Sequence, residues 1–191
     1  IGSPPPGMGM QTFTVTDFAT LQTAVNAANS RNCSAPCVTI NVAANIVTGG
    51  PLILNGSAII QGACSVQPCV LDGNAAHQIL GITGAKTQVT VSGLTLQNGL
   101  QTKGTQIYGG AAAVYGSAVA SFVDVTFSGS KAGQGGAIAV YSGANVTWLR
   151  CAFTKNDASN VGGGISVGGA TGYCNKCSFV GNSAGVCWLA D

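Results

Sequence analysis

Three glycine pairs, Gly109-Gly110, Gly135-Gly136 and Gly162-Gly163, recur at steps of 26 and 27 residues. Phe127, Phe153 and Phe179 recur at steps of 26 and 26, and Leu96 and Leu71 continue that landmark backwards at steps of 31 and 25. Three residues past each landmark stand Asn74, Gly99, Ser130, Asn156 and Asn182. A fixed period in the twenties marks stacked repeats. Each repeat is too small to bury its own apolar face, so its neighbours must complete the core.

Aligning the repeats on the Leu/Phe landmark gives columns. Two residues before it lie Cys69, Leu94, Val125, Cys151 and Cys177, and one before it lie Val70, Thr95, Thr126, Ala152 and Ser178. About thirteen before it lie Ile82, Val114, Val140 and Val167. Alternation of apolar and small polar columns predicts strands whose side chains point in and out by turns. Coils would then stack about 4.8 Å apart, the spacing of hydrogen-bonded strands. The glycine pairs are expected at corners that need φ > 0. The Asn/Ser/Gly column is expected at a second corner, where stacked amides satisfy freed backbone groups. The Leu/Phe column is expected to form an interior stack.

The chain divides into three stretches. Residues 1–12, "IGSPPPGMGMQT", open as a Pro/Gly-rich linker or tail in extended form. Residues 13–37 read as an N-terminal cap. Phe13 and Val15 alternate as a strand; Phe18, Leu21, Val25 and Ala28 follow helical spacing, with Asp17 placed to cap the helix N-terminus. Residues 38–191 read as the coils, beginning with the runs "VTINV", "PLIL", "AIIQG" and "CVL". The expected architecture is all-β, a parallel solenoid of about five coils with a short N-terminal capping helix. The closing "GVCWLAD" contains no cap helix, so either the native chain continues or a partner is expected to cover that end. The first residue, Ile1, suggests a processed or excised piece.

Composition narrows the function. Charged residues make up 6% of the 191, Glu is absent, and the net charge of +2 gives no basic surface for nucleic acid. The 46% hydrophobic fraction argues against disorder. No apolar run reaches the about 20 residues of a membrane span. The eight cysteines, Cys33, Cys37, Cys64, Cys69, Cys151, Cys174, Cys177 and Cys187, are even in number and clustered, which favours disulfides and an oxidising compartment. Cys33–Cys37 and Cys64–Cys69 read as local loops, Cys151 and Cys177 share a column, and pairing among the last four stays open. Zinc is the weaker reading, because Cys174 and Cys177 form a lone CxxC without a second CxxC or a nearby His. Sequons at Asn32, Asn55 and Asn145 add candidate N-glycosylation sites.

Gly135-Gly136-Ala137-Ile138 followed by Phe153-Thr154-Lys155-Asn156 resembles the GGA[ILV] plus FxxN repeat of the polymorphic outer membrane protein family. Gly162-Gly163-Gly164-Ile165 with Phe179-Val180-Gly181-Asn182 resembles a second copy, and Gly109-Gly110-Ala111-Ala112 with Phe127-Ser128-Gly129-Ser130 a degenerate third. The cap and "VTVSGLTLQNG" are similar to right-handed parallel β-helices of the pectin-lyase-like superfamily. The resemblance covers about residues 13–190. It implies a right-handed β-helix and a surface-exposed, adhesive or structural role. Ser3-Pro4-Pro5-Pro6 resembles hydroxyproline-rich wall glycoproteins of plants and green algae, which implies hydroxylated and glycosylated Pro4, Pro5 and Pro6.

Sugar-cleaving enzymes share the pectin-lyase-like fold, so the acids need weighing. They are Asp17, Asp72, Asp124, Asp157 and Asp191. Glycoside hydrolysis needs two carboxylates facing one cleft, whereas these fall on different coils and columns. Asp124 and Arg150 share a column one coil apart and are expected to form a surface ion pair. His77, the single histidine, lacks an acid–base partner and reads as a turn residue. No catalytic residue, cofactor or metal site is expected. Tyr115 and Tyr141 occupy equivalent positions one coil apart and are candidates for stacking on sugar rings. Trp148 aligns with Phe122 and Val91 and is expected in the core. The outward column Val70, Thr95, Thr126, Ala152, Ser178 is too irregular for ice binding.

The expected function is a secreted, disulfide-bonded, glycosylated structural or adhesive module of a cell wall, surface coat or filamentous appendage. Its partners would be other subunits or domains of that assembly, and glycans, with no nucleic acid. The alternatives are a carbohydrate-binding module and a degenerate polysaccharide lyase or hydrolase.

Overall fold

The computed structural model describes residues 9–31, 33–102 and 107–185. Pro4, Pro5, Pro6, Asn32, Cys187 and Asp191 lie outside the described residues.

The N-terminal stretch runs β1 (Gln11–Val15), α1 (Phe18–Arg31), β2 (Val38–Val42), β3 (Ile46–Val47), β4 (Leu52–Leu54), β5 (Ala58–Gly62), β6 (Cys69–Asp72) and β7 (Leu80–Thr83). The middle runs β8 (Gln88–Ser92), β9 (Leu94–Gln97), β10 (Leu100–Gln101), β11 (Ala112–Tyr115), β12 (Val119–Val123), β13 (Thr126–Ser128), β14 (Lys131–Gln134) and β15 (Ile138–Tyr141). The remainder runs β16 (Asn145–Leu149), β17 (Ala152–Thr154), β18 (Asp157–Val161), β19 (Ile165–Gly168), β20 (Thr171–Asn175), β21 (Ser178–Val180) and β22 (Ser183–Ala184).

Among the described residues these strands form four sheets. One orders β1-β2-β5-β8-β12-β16-β20 and a second β3-β6-β9-β13-β17-β21. A third orders β4-β7-β11-β15-β19 and a fourth β10-β14-β18-β22. From β8 onward the chain visits the first, second, fourth and third sheets in turn, then repeats. Strand pairing is parallel, and each residue lies over its repeat equivalent: Leu71 on Leu96, Leu96 on Phe127, Phe127 on Phe153, Phe153 on Phe179. The protein is thus mostly β, with parallel sheets compatible with a solenoid. Register holds because a slip of one residue would turn every apolar side chain outward.

The second sheet holds six strands, one more than the about five coils expected. The extra member is β3, where Ile46 pairs with Leu71 and extends the landmark column. A two-residue strand is too short to show a period. Strand β1 also begins two residues before the expected cap boundary, because Gln11 and Thr12 pair with Val38 and Thr39 through backbone alone.

The phenylalanines stack, Phe127 and Phe153 fully buried and Phe179, which has no described strand beyond it, half exposed. Ring centroids lie 4.8 Å apart for Phe127 and Phe153 and 4.7 Å for Phe153 and Phe179, nearly coplanar in orientation at 2° and 6°. Each such pair contributes about 0.5–1.5 kcal/mol beyond area burial. Trp148 is buried, pairs in register with Phe122, and meets Phe153 edge-on at 6.4 Å.

The glycine pairs do two jobs rather than one. Gly109, Gly135 and Gly162 turn the chain at φ 65, 63 and 70. The second glycines are needed for room: a Cβ on Gly110, Gly136 or Gly163 would collide with the carbonyl oxygen of Gly136, Gly163 or Ser183 in the next coil. Two further corner columns take left-handed backbone: Gly93, Asp124, Arg150 and Lys176 (φ 60, 54, 53 and 55) three residues before the landmark, and Asn98, Gly129, Lys155 and Gly181 (φ 53, 62, 54 and 64) two after it.

Helix α1 packs on the first coil through Leu21, Ala24, Val25 and Ala28, all fully buried. Burying a leucine or valine stabilises by about 1.5–3 kcal/mol. Thr20 N–H donates to Asp17 Oδ1 at 2.8 Å, as expected of an N-cap. Asn29 ties the helix to the sheet: its Nδ2 donates to Ile53 O at 2.7 Å, and its Oδ1 accepts from the Asn55 and Gly56 amides at 2.9 and 3.1 Å. Among the described residues no helix is long and apolar enough to cross a membrane.

Candidate functional site

A cluster of three tyrosines stands on the outer face of the third sheet. Alternation points Ile138 and Val140 inward and leaves Ala139 and Tyr141 outward. The same holds for Ala113 and Tyr115 on β11, so parallel register brings the two tyrosine rings together. They stack at 5.1 Å with planes 5° apart. Tyr108 adds a third ring, 4.8 Å from Tyr141 and tilted by 47°. It comes from the excess residues between β10 and β11, fixed by a parallel bridge to Gln134 and by Gln78 Nε2, which donates to Tyr108 O at 2.8 Å.

Tyr108 and Tyr141 line a surface groove of about 290 Å³ together with Ala139, Val140, Gln134, Ser142, Ser166 and Gly168, and Tyr115 stacks behind Tyr141. Gly168 stands where the tyrosine column would continue, so the next position over is open. Burial, with smaller repulsion from Tyr115 and Tyr108, pushes the Tyr141 hydroxyl up to about 12. It therefore stays protonated and can donate at neutral pH. Among the described residues no charged side chain lines the groove. Its chemistry is that of stacking and neutral hydrogen bonds.

The described carboxylates are each bound up locally. Asp17 caps α1. Burial works against the charged form of Asp72, but the Gln97 side chain, the Asn74 amide and the Asn98 side chain donate to it and hold its carboxyl below the usual value. Asp124 receives both Arg150 Nε and Nη2 at 2.7 Å, the surface ion pair expected from the shared column; hydrogen bonding and charge hold its carboxyl low. Asp157 Oδ1 accepts from Ser183 Oγ at 2.6 Å. Among the described residues no hydrogen bond joins two of these acids. His77 faces Gln78 O at 2.9 Å through Nδ1 and Thr48 O at 2.8 Å through Nε2, so its ring ties the turn before β7 to the end of β3.

The cysteines fall into two kinds. Cys33–Cys37 and Cys64–Cys69 are disulfides with Cα–Cα 6.3 and 5.4 Å. Cys151, Cys174 and Cys177 carry free thiols, so their disulfides expected from the cysteine count are not formed here. Cys151 and Cys177 share a column but aim their sulfurs the same way along the stack: Cys151 toward Phe122 O at 3.4 Å, Cys177 toward Trp148 O at 3.6 Å. Among the described residues no group of three His, Cys, Asp or Glu is arranged to hold a metal. Asn55 and Asn145 are exposed.

The polar ladder after the phenylalanines starts one coil later than expected. Gly99 N–H donates to Ser130 Oγ at 3.1 Å, Ser130 N–H to Asn156 Oδ1 at 3.0 Å, and Asn156 N–H to Asn182 Oδ1 at 3.0 Å. Asn74 is exposed at φ 53, and its amide turns to Asp72 Oδ1. Its turn carries three extra residues toward His77, which takes it out of the column.

Tyr108 is the site residue that sequence spacing misses, because it lies in an insertion with no equivalent in other coils. Comparison with protein-family models, with curated proteins and with solved structures gives no match.

Proposed function

We propose that this chain is a right-handed parallel β-helix of the pectin-lyase-like type, acting without catalysis as a structural or adhesive module of a cell wall, surface coat or appendage. The repeating circuit through four parallel sheets supports the fold, and parallel crossovers are overwhelmingly right-handed. The observation that carries the role is that every described carboxylate is engaged in holding the helix cap, a turn or adjacent coils together. A glycosidase or lyase keeps its acids free to face substrate. Two disulfides support an oxidising, extracellular setting, and exposed Asn55 and Asn145 have room for glycans.

A second reading rests on the tyrosine groove. Stacked and tilted rings with neutral polar neighbours suit the faces and hydroxyls of an uncharged sugar, and adhesion to a neutral glycan would follow. Among the described residues no cation lines the groove to pair with an acidic polyuronate.

Native protein analysed by intact and glycopeptide mass spectrometry, with and without reduction, tests the setting. Disulfides and glycans at Asn55 or Asn145 are expected; uniformly free thiols and bare asparagines would overturn it. Incubation with polyuronates and neutral polysaccharides tests the absence of catalysis, and any turnover abolished by Asp72→Asn or Asp157→Asn overturns that claim. Glycan-array binding lost in Tyr115→Ala plus Tyr141→Ala would favour the second reading, and equal binding by wild type and variant would sink it.

A further inference from the structure

Cys174 and Cys177 flank the corner between β20 and β21. Cys174 lies opposite Trp148, and Cys177 precedes Ser178, which pairs with Ala152. The two residues between them turn the chain, with Lys176 at φ 55. Earlier coils flank the same corner with apolar residues: Val91 and Leu94, then Phe122 and Val125. Here both positions are cysteines. The Cys177 thiol is near enough to add to the burial that pushes the Cys174 thiol up to about 11, and Cys177 Sγ lies 3.6 Å from Trp148 O and Asn175 O.

Other pairings among the described thiols fit less well. Cys151 repeats the contacts of Cys177 one coil earlier, to Phe122 O and Leu149 O. Two sulfurs in equivalent places are separated by about the coil spacing of 4.8 Å, more than twice the about 2.05 Å of an S–S bond. Moreover, the corner already carries a disulfide elsewhere. Cys64–Cys69 bridges it between β5 and β6, and Cys69 stands in the column of Cys177.

We propose that Cys174 and Cys177 are an oxidisable dithiol that closes to a third intrachain disulfide across the last described corner, leaving Cys151 a buried thiol. The oxidant is a small-molecule disulfide such as oxidised glutathione. Cys174, exposed, loses its proton and attacks one glutathione sulfur, displacing the other as thiolate. Cys177 then loses its proton and attacks Cys174 Sγ, breaking the mixed disulfide and releasing the second glutathione. Two protein thiols become one disulfide, and one glutathione disulfide becomes two thiols. Among the described residues β20 and β21 have no outer strand, so the bridge would clamp the edge most prone to open. Closure depends on the two thiols and their corner, and is independent of where the protein works or what it binds.

Trypsin makes the test direct, because Lys176 lies between the two cysteines. The full chain is equilibrated in reducing and in oxidising glutathione buffers, alkylated, digested and analysed without reduction. In oxidising buffer peptide 156–176 is expected to be linked to peptide 177–191, and in reducing buffer the link is absent. Because the second peptide also holds Cys187, fragmentation of the wild-type linked pair must place the bridge on Cys177. The link is expected to survive in Cys187→Ala and vanish in Cys177→Ala. A bridge on Cys187, a link to peptide 151–155, or full alkylation of both cysteines in oxidising buffer would each overturn the proposal.

Discussion

Asn156 and Asn182, one coil apart, are bonded side chain to side chain: Asn156 Nδ2 donates to Asn182 Oδ1 at 2.9 Å. The same Nδ2 donates to Phe127 O at 3.0 Å, while Oδ1 takes the Ser130 amide. One fully buried amide thereby links three coils. Asn156→Ala leaves the Ser130 N–H unpaired, at about 1–3 kcal/mol, and removes a second donor from Phe127 C=O and the link to Asn182. A loss of about 2–5 kcal/mol is expected in urea unfolding, and a variant within 1 kcal/mol of wild type would refute the ladder's importance.

Phe153 sits between two stacked rings and meets Trp148 edge-on. Phe153→Ala should cost about 3–5 kcal/mol, and Phe153→Leu clearly less, since leucine fills the same column at Leu71 and Leu96. Thermal unfolding of the two variants side by side checks the order; equal losses would show that ring stacking is not what the column supplies.

Gly136 has no space for a side chain, whereas Gly50 has nothing near its Cβ position. Gly136→Ala must push the coils apart and is expected to lose about 1–3 kcal/mol or more. Gly50→Ala should be neutral or slightly stabilising, because alanine narrows the unfolded ensemble. Matched melting curves decide; tolerance at Gly136 would mean the coils are less tightly spaced than described.

Asp72 supplies a pH dependence. Its carboxyl is held below the ordinary value in the folded chain, so the unfolded chain binds the proton more readily. The contribution is full above the unfolded value, near 3.8, and is lost as pH falls through the lower folded value. Urea midpoints between neutral pH and about pH 3 should fall less steeply for Asp72→Asn than for wild type. Parallel slopes would show that the Gln97, Asn74 and Asn98 bonds do not favour the charged form.

Much of the fold was legible in the residue pattern. The landmark column, its apolar companions and the Asp124–Arg150 pair follow from a repeat in which strands align in register. The capping helix followed from the switch of apolar spacing at Asp17. These features are local or periodic, and periodicity translates directly into contact once coils stack.

What the tertiary structure alone decided is where backbone crowding and insertions act. The second glycine of each pair is fixed by a carbonyl in the next coil, a steric fact no single repeat contains. Charged residues take left-handed corners because neighbouring strands over-determine the turn. Asn74 leaves its ladder, and Tyr108 joins the two predicted tyrosines, because residues outside the repeat obey the space around them rather than the period. The sequence alone determined the stacking of coils, since buried apolar columns allow one register. Only the fold determined which side chains of the irregular segments meet, since those contacts depend on distances that sequence spacing does not encode.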